Sequence, residues 1–176
     1  RYLAKERERI FPEISECVSN AWWREVLLLT YGFAKTDHED FANKYLDWLS
    51  SLTGDDETCL AGLELAGSAL LEIEKPKQEL RNIQADKLCK SLFKSPLRVS
   101  ANQRARSADT LARLGDPRPE VMTLGKMQFC YVPSGEFIMG SDKRQDQEAY
   151  EEEFPQTTLN LQGYYLGRFP VIHAQF

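Results

Sequence analysis

Residues 127–141, MQFCYVPSGEFIMGS, mark the point where the character of this chain changes. Alternation through MQFCYV puts Phe129 and Tyr131 on one side, and Cys130 and Val132 on the other, as a strand in a sheet requires. Pro133, Ser134, Gly135 and Glu136 supply a turn signal before EFIMG. TTLNL from Thr157 and YYLGR from Tyr164 are further short β-rich runs beyond a long polar loop. Immediately upstream, GDPRPEV is rich in turn formers and places a domain boundary near Asp116 to Gly125.

Before that boundary the period is helical. Trp22, Trp23, Val26, Leu27 and Phe33 form one expected apolar face, and Phe41, Tyr45, Trp48, Leu49 and Leu52 a second. Asp37 is a candidate cap for the second helix and Asp55 or Asp56 for the third. Pro76 would open a fourth carrying Leu80, Ile83, Leu88 and Leu92. Ala101, Ala105, Ala108, Leu111 and Ala112 signal a fifth, closed by Gly115. The segments GLELAGSALLEIEKP (Gly62 to Pro76) and ARSADTLARLGDPRP (Ala105 to Pro119) share a small-residue helix followed by a charged turn with proline. This is the kind of helical pairing found in HEAT-like solenoids. The expectation is an α+β chain: a helical scaffold over 1–115, a linker over 116–126, and a β-rich segment over 127–176.

Composition bounds the function. With 176 residues and 42% hydrophobic content the chain can bury a real core, and a net charge of −5 argues against general binding to nucleic acid. Apolar runs such as Val26 to Leu29 and Ala69 to Leu71 are too short to cross a membrane. Cys17, Cys59, Cys89 and Cys130 contain no Cys-x-x-Cys pair, so buried free thiols in a reducing cytoplasm are expected. Arg1 in place of Met, no signal segment and an abrupt end at Phe176 suggest an internal piece of a longer polypeptide.

Other residues invite chemistry. Trp22 and Trp23 could stack on a ligand, but beside Val26, Leu27 and Phe33 they read as core. Asp142, Asp146, Glu148, Glu151, Glu152 and Glu153 crowd one loop without the Asp-x-Asp-x-Asp-Gly spacing that converges oxygens on calcium, so a solvated acidic loop is expected. His38 and His173 fall in different expected domains and give no facial triad for iron. No phosphate-cradling Gly-x-x-x-x-Gly-Lys-Ser/Thr loop occurs. No catalytic, cofactor-binding or metal residue is therefore assigned within 1–176.

Two resemblances add to these readings. MQFCYVPSGEFIMGS, with GYYLGRFPVIHAQF after the acidic loop, resembles the opening of the formylglycine-generating-enzyme, or sulfatase-modifying-factor, domain. That family has an irregular fold akin to the C-type lectins. Where it usually reads Pro-Val-Thr-Asn, this chain has Pro170, Val171, Ile172 and His173. RYLA at Arg1 to Ala4, WWREVLLLTYGFAK, and RARSADTLARLGDPRPEV are similar to the helical region of bacterial NACHT-type signalling NTPases, where a formylglycine-generating-type domain often follows. The resemblances imply a cytoplasmic bacterial protein whose partners are other domains of the same polypeptide or a protein ligand, with no nucleic acid and no membrane. Copper or iron would be required only if the complete downstream domain were catalytic. An oxidase whose active site lies downstream and a plain interaction solenoid are the alternatives, and Cys130 matches no family catalytic cysteine.

Overall fold

The helix that organises the first half of the protein is buried on all sides through its middle. Every residue from Leu60 to Leu70 is buried within α4, Asp56–Leu71, as expected of a helix apolar all round and packed on several sides. The computed structural model describes residues 11–73 and 77–175, and the chain divides into two units, Arg1–Pro117 and Arg118–Phe176. In the first unit α4 is contacted by α2 (Arg24–Asp37), α3 (Glu39–Ser50), α5 (Gln78–Leu92) and α6 (Ala101–Leu114). Its small residues, Ala61, Gly62, Ala66, Gly67 and Ala69, let these neighbours approach closely. A short helix, α1 (Phe11–Ile14), adds Phe11, which stacks on Phe41 and Trp48 at centroid distances of 5.8 and 4.8 Å. The RYLA motif of residues 1–4 and the expected helix start at Pro76 lie outside the described residues.

The first turn of α4 fixes the start of α6. Asp55 accepts from Thr58 N at 2.8 Å as the N-cap, and Asp56 accepts from Arg98 N at 2.8 Å. Glu57 receives both Ser100 N and Ser100 Oγ at 2.8 Å, and Ser100 in turn caps α6 by accepting from Gln103 N. At the far end Gly115, at φ 109°, donates to Leu111 O and closes α6. Arg81 of α5 donates to the carbonyls of Arg113 and Leu114, placing a cation at the negative end of that helix.

Several expected faces are turned differently. On α2 the buried residues are Leu27, Leu28, Tyr31 and Ala34, whereas Trp22, Trp23, Val26 and Phe33 are exposed. On α5 Leu88 and Leu92 are buried but Leu80 and Ile83 are exposed. The alanines of α6, at 101, 105, 108 and 112, face outward, and Gln103, Ser107 and Thr110 face inward beside Leu111 and Leu114. Asp37 ends α2 rather than capping α3. His38 takes the N-cap position without a side-chain bond. Of the four cysteines only Cys89 is buried, and Cys130 is exposed.

Residues 116–126 carry a short helix, α7 (Pro119–Met122), and a 3-10 turn over Leu124–Lys126. Beyond them lie four strands, β1 (Phe129–Val132), β2 (Gly135–Met139), β3 (Thr157–Leu161) and β4 (Tyr164–Gly167). β1 pairs antiparallel with β4, and β2 with β3. From Val132↔Tyr164 to Gly135↔Leu161 both strands advance by three residues, so the two ladders share one register. They form a single two-stranded ribbon interrupted at Pro133–Ser134 and Gln162–Gly163. Its base is held by Arg168 N donating to Gln128 O at 2.9 Å. Its tip is the acidic loop, where Gly140 at φ 84° permits a turn that seats Ser141 N on Glu153 O at 2.8 Å. Nearly every ribbon residue is exposed. Among the described residues no helix is long and apolar enough to cross a membrane.

Titration of the first unit follows from these contacts. Hydrogen bonds from Thr58 hold the Asp55 carboxyl below its ordinary 3.8, and the Lys94 and Arg98 contacts do the same for Asp56. A carboxyl depressed in the fold stabilises fully above 3.8 and loses that contribution as pH falls through its lowered value. Burial, aided by the charge of Glu39, pushes Tyr31 up to about 12, and burial raises Tyr45, whose hydroxyl donates to Leu27 O. Phenols raised in the fold stabilise fully below 10.0 and lose that contribution as pH climbs through the native value. Urea midpoints should therefore be flat between pH 5 and 9 and fall on both sides. In absorbance titration, two of the seven tyrosines should ionise only with loss of helical signal; ionisation of all seven before unfolding would contradict this.

Candidate functional site

Three features of the surface and interior could carry function. The first is the outer face of α2. Trp22, Val26, Leu29 and Phe33 recur at spacings of four, three and four residues, the period of a helix-packing seam, and all are exposed; Trp22 is 85% and Leu29 71% accessible. Trp22 sits in the 3-10 turn Ala21–Trp23, fixed by its N–H donating to Asn20 Oδ1 at 3.0 Å. Gly32 borders the seam with open space around it, so another helix could approach closely. A continuous apolar patch of this kind, on a helix already anchored by its opposite face, is a surface suited to another polypeptide.

The anchor behind that face is the second feature. Two residues after Trp22 the chain has turned to roughly the opposite side, and Arg24 points inward. Its Nη2 donates to Glu64 Oε1 at 2.8 Å and to Ser68 Oγ at 3.0 Å. Ser68 Oγ and Thr110 Oγ1 donate to the same carboxylate oxygen at 2.7 and 3.1 Å. Glu64 is only 2% exposed, so three side chains, one each from α2, α4 and α6, neutralise and satisfy one buried charge. Burial works against the Arg24 charge, but the bond to Glu64 and the charges of Glu64 and Glu25 outweigh it and raise the guanidinium above its usual value. The arrangement sets the rotation of α2 about its axis, and hence which of its faces is presented to solvent.

The third feature is an open groove of about 670 Å³ at the ribbon tip, bordered by Ser141, Asp142, Lys143, Glu151, Phe154 and Gln156. Ser141 Oγ donates to Glu153 Oε2 at 2.7 Å and Lys143 lies over the Phe154 ring at 5.2 Å. Asp142 and Asp146 each accept from a backbone N–H two residues on, at 3.0 Å. These carboxylates serve local turns rather than one common point. Among the described residues no group of three or more His, Cys, Asp or Glu side chains is arranged to hold a metal ion. His173 is exposed in the 3-10 turn His173–Gln175, where Gln175 Oε1 accepts from Ile172 N at 2.9 Å. His38 is exposed in the first unit. Glu64, Ser68 and Thr110 were not singled out by the sequence. Only the coincidence of a lone glutamate inside an apolar small-residue helix hinted at them.

The class that the fold defines is α+β, a helical unit followed by one of short antiparallel strands. No protein-family model, curated protein or solved structure matches the chain.

Proposed function

We propose that this chain is a scaffold segment of a NACHT-like bacterial signalling protein. Its HEAT-like helical unit docks a neighbouring domain, and its ribbon opens a formylglycine-generating-type domain used to bind a ligand. No catalytic role is assigned to residues 1–176. The observation that carries the reading is the seam of Trp22, Val26, Leu29 and Phe33, an apolar helix face outside the core of its own unit. The order of the WWREV and ARLGDPRPEV motifs before MQFCYVPSGEFIMGS supports the same assignment.

In this reading the occupant of the seam is a neighbouring domain of NACHT type. Leu29→Glu should leave the thermal midpoint within about 2 °C, as for an exposed site. It should also weaken binding of a separately produced NACHT-type domain at least tenfold, read by the blue shift of tryptophan emission. Equal binding by wild type and Leu29→Glu would remove the seam from the reading. The rival oxidase reading is tested directly: incubated with copper and a sulfatase-type cysteine peptide, the chain should give no formylglycine by mass spectrometry, and turnover would overturn the scaffold assignment.

A further inference from the structure

The two edges of the ribbon are not equivalent. The strand from residue 128 to residue 139 carries Pro133 and Glu136, devices that discourage pairing with another chain. The opposite strand, Thr157 to Gly167, reads TTLNLQGYYLG: eleven residues with no charge and no proline, rich in β formers and exposed along nearly all its length. Both sheets have two strands among the described residues, so this edge has no backbone partner there. An isolated two-stranded ribbon is marginal in water, and adding strands to its edge is what makes such a sheet stable.

We propose that the occupant of this edge is a second copy of the same chain, paired antiparallel through Thr157 to Gly167 across a two-fold axis at Gln162. Charge selects this occupant and direction. The tip carries Asp142, Asp146, Glu148, Glu151, Glu152 and Glu153 against Lys143 and Arg144, whereas Arg168 lies at the base with Lys126 nearby in sequence. Antiparallel pairing sets the Arg168 end of each copy beside the acidic tip of the other, while parallel pairing would stack the two acidic tips. The interface is isologous, so it closes at two copies and yields a four-stranded sheet. This is independent of any role of the α2 seam.

The test uses the full chain with Cys130→Ser. Added Gln162→Cys places two thiols at facing positions of antiparallel strands, within disulfide range, and should give a covalent dimer with oxidised glutathione. Ser134→Cys, on the opposite edge, should not. Sedimentation equilibrium should show a monomer–dimer system, Arg168→Glu should weaken it at least tenfold, and Glu152→Lys added to Arg168→Glu should restore it. A chain that stays monomeric at 100 µM, equal cross-linking at residue 134, or growth into open-ended assemblies would each overturn the proposal.

Discussion

Arg24→Met is expected to lower the unfolding free energy by about 3–5 kcal/mol, the usual cost of removing one partner from a buried ion pair. The methionine fills most of the arginine's volume, so the loss reports the stranded Glu64 charge rather than a cavity. Ser68 and Thr110 still donate to Glu64 Oε1, which keeps the cost from rising further. Glu64→Leu alone should cost less, because Arg24 Nη2 keeps Ser68 Oγ as an acceptor and the guanidinium is partly open to water. The double variant should cost at least about 2 kcal/mol less than the sum of the two. It leaves the Ser68 and Thr110 hydroxyls 3.2 Å apart, free to bond each other. Urea unfolding of the four proteins measures this cycle, and strict additivity would show that Arg24 does not hold Glu64.

A second pair of substitutions should have opposite signs although the chemistry is the same. Gly62→Ala in α4 brings a Cβ onto the Leu49 carbonyl oxygen and within 2.7 Å of Leu52 Cδ1. A backbone atom at the end of α3 cannot turn aside as a side chain can, so α3 must move away from α4. Overpacking of this kind costs about 1–3 kcal/mol. The gain in helix propensity, about 1 kcal/mol, is insufficient to offset the upper half of that range. A net loss of about 1–2 kcal/mol is expected. Gly32→Ala in α2 meets nothing within 4 Å and should gain about 0.5–1 kcal/mol by restricting the unfolded chain. Thermal unfolding should move down for the first and up for the second; matching shifts would mean that the α3–α4 approach is looser than described.

The legibility of this protein varies with where the partners of each residue lie. Helix ends were readable where the partner is local, as with Asp55 and Thr58 or Gly115 and Leu111. The strands were readable from alternation and the long α4 from its continuous small and apolar content. Gly135 and Glu136, expected in a turn, instead lie in β2, and the ribbon runs on past Pro133 and Ser134 without reversing. The inward face of α6 was not. Alanines at 101, 105, 108 and 112 mimic a core stripe, while Gln103, Ser107 and Thr110 look like solvent-facing residues. Thr110 is buried because Glu64, forty-six residues away, takes its hydrogen bond; Gln103 is buried with Ser107 at 3.2 Å and Arg106 at 2.8 Å as partners. The same long-range pairing pulls Arg24 inward and turns Trp22 out, reversing the expected face of the WWREV helix.

The amino-acid sequence by itself determined the two-part α+β layout and most element positions, because period and capping chemistry act over a few residues. The tertiary structure alone decided which side of each helix is buried and that the two short ladders share one register. Those outcomes depend on hydrogen bonds and packing between residues distant in the chain: a polar side chain faces the core at little cost once a partner satisfies it, and local pattern carries no record of that partner.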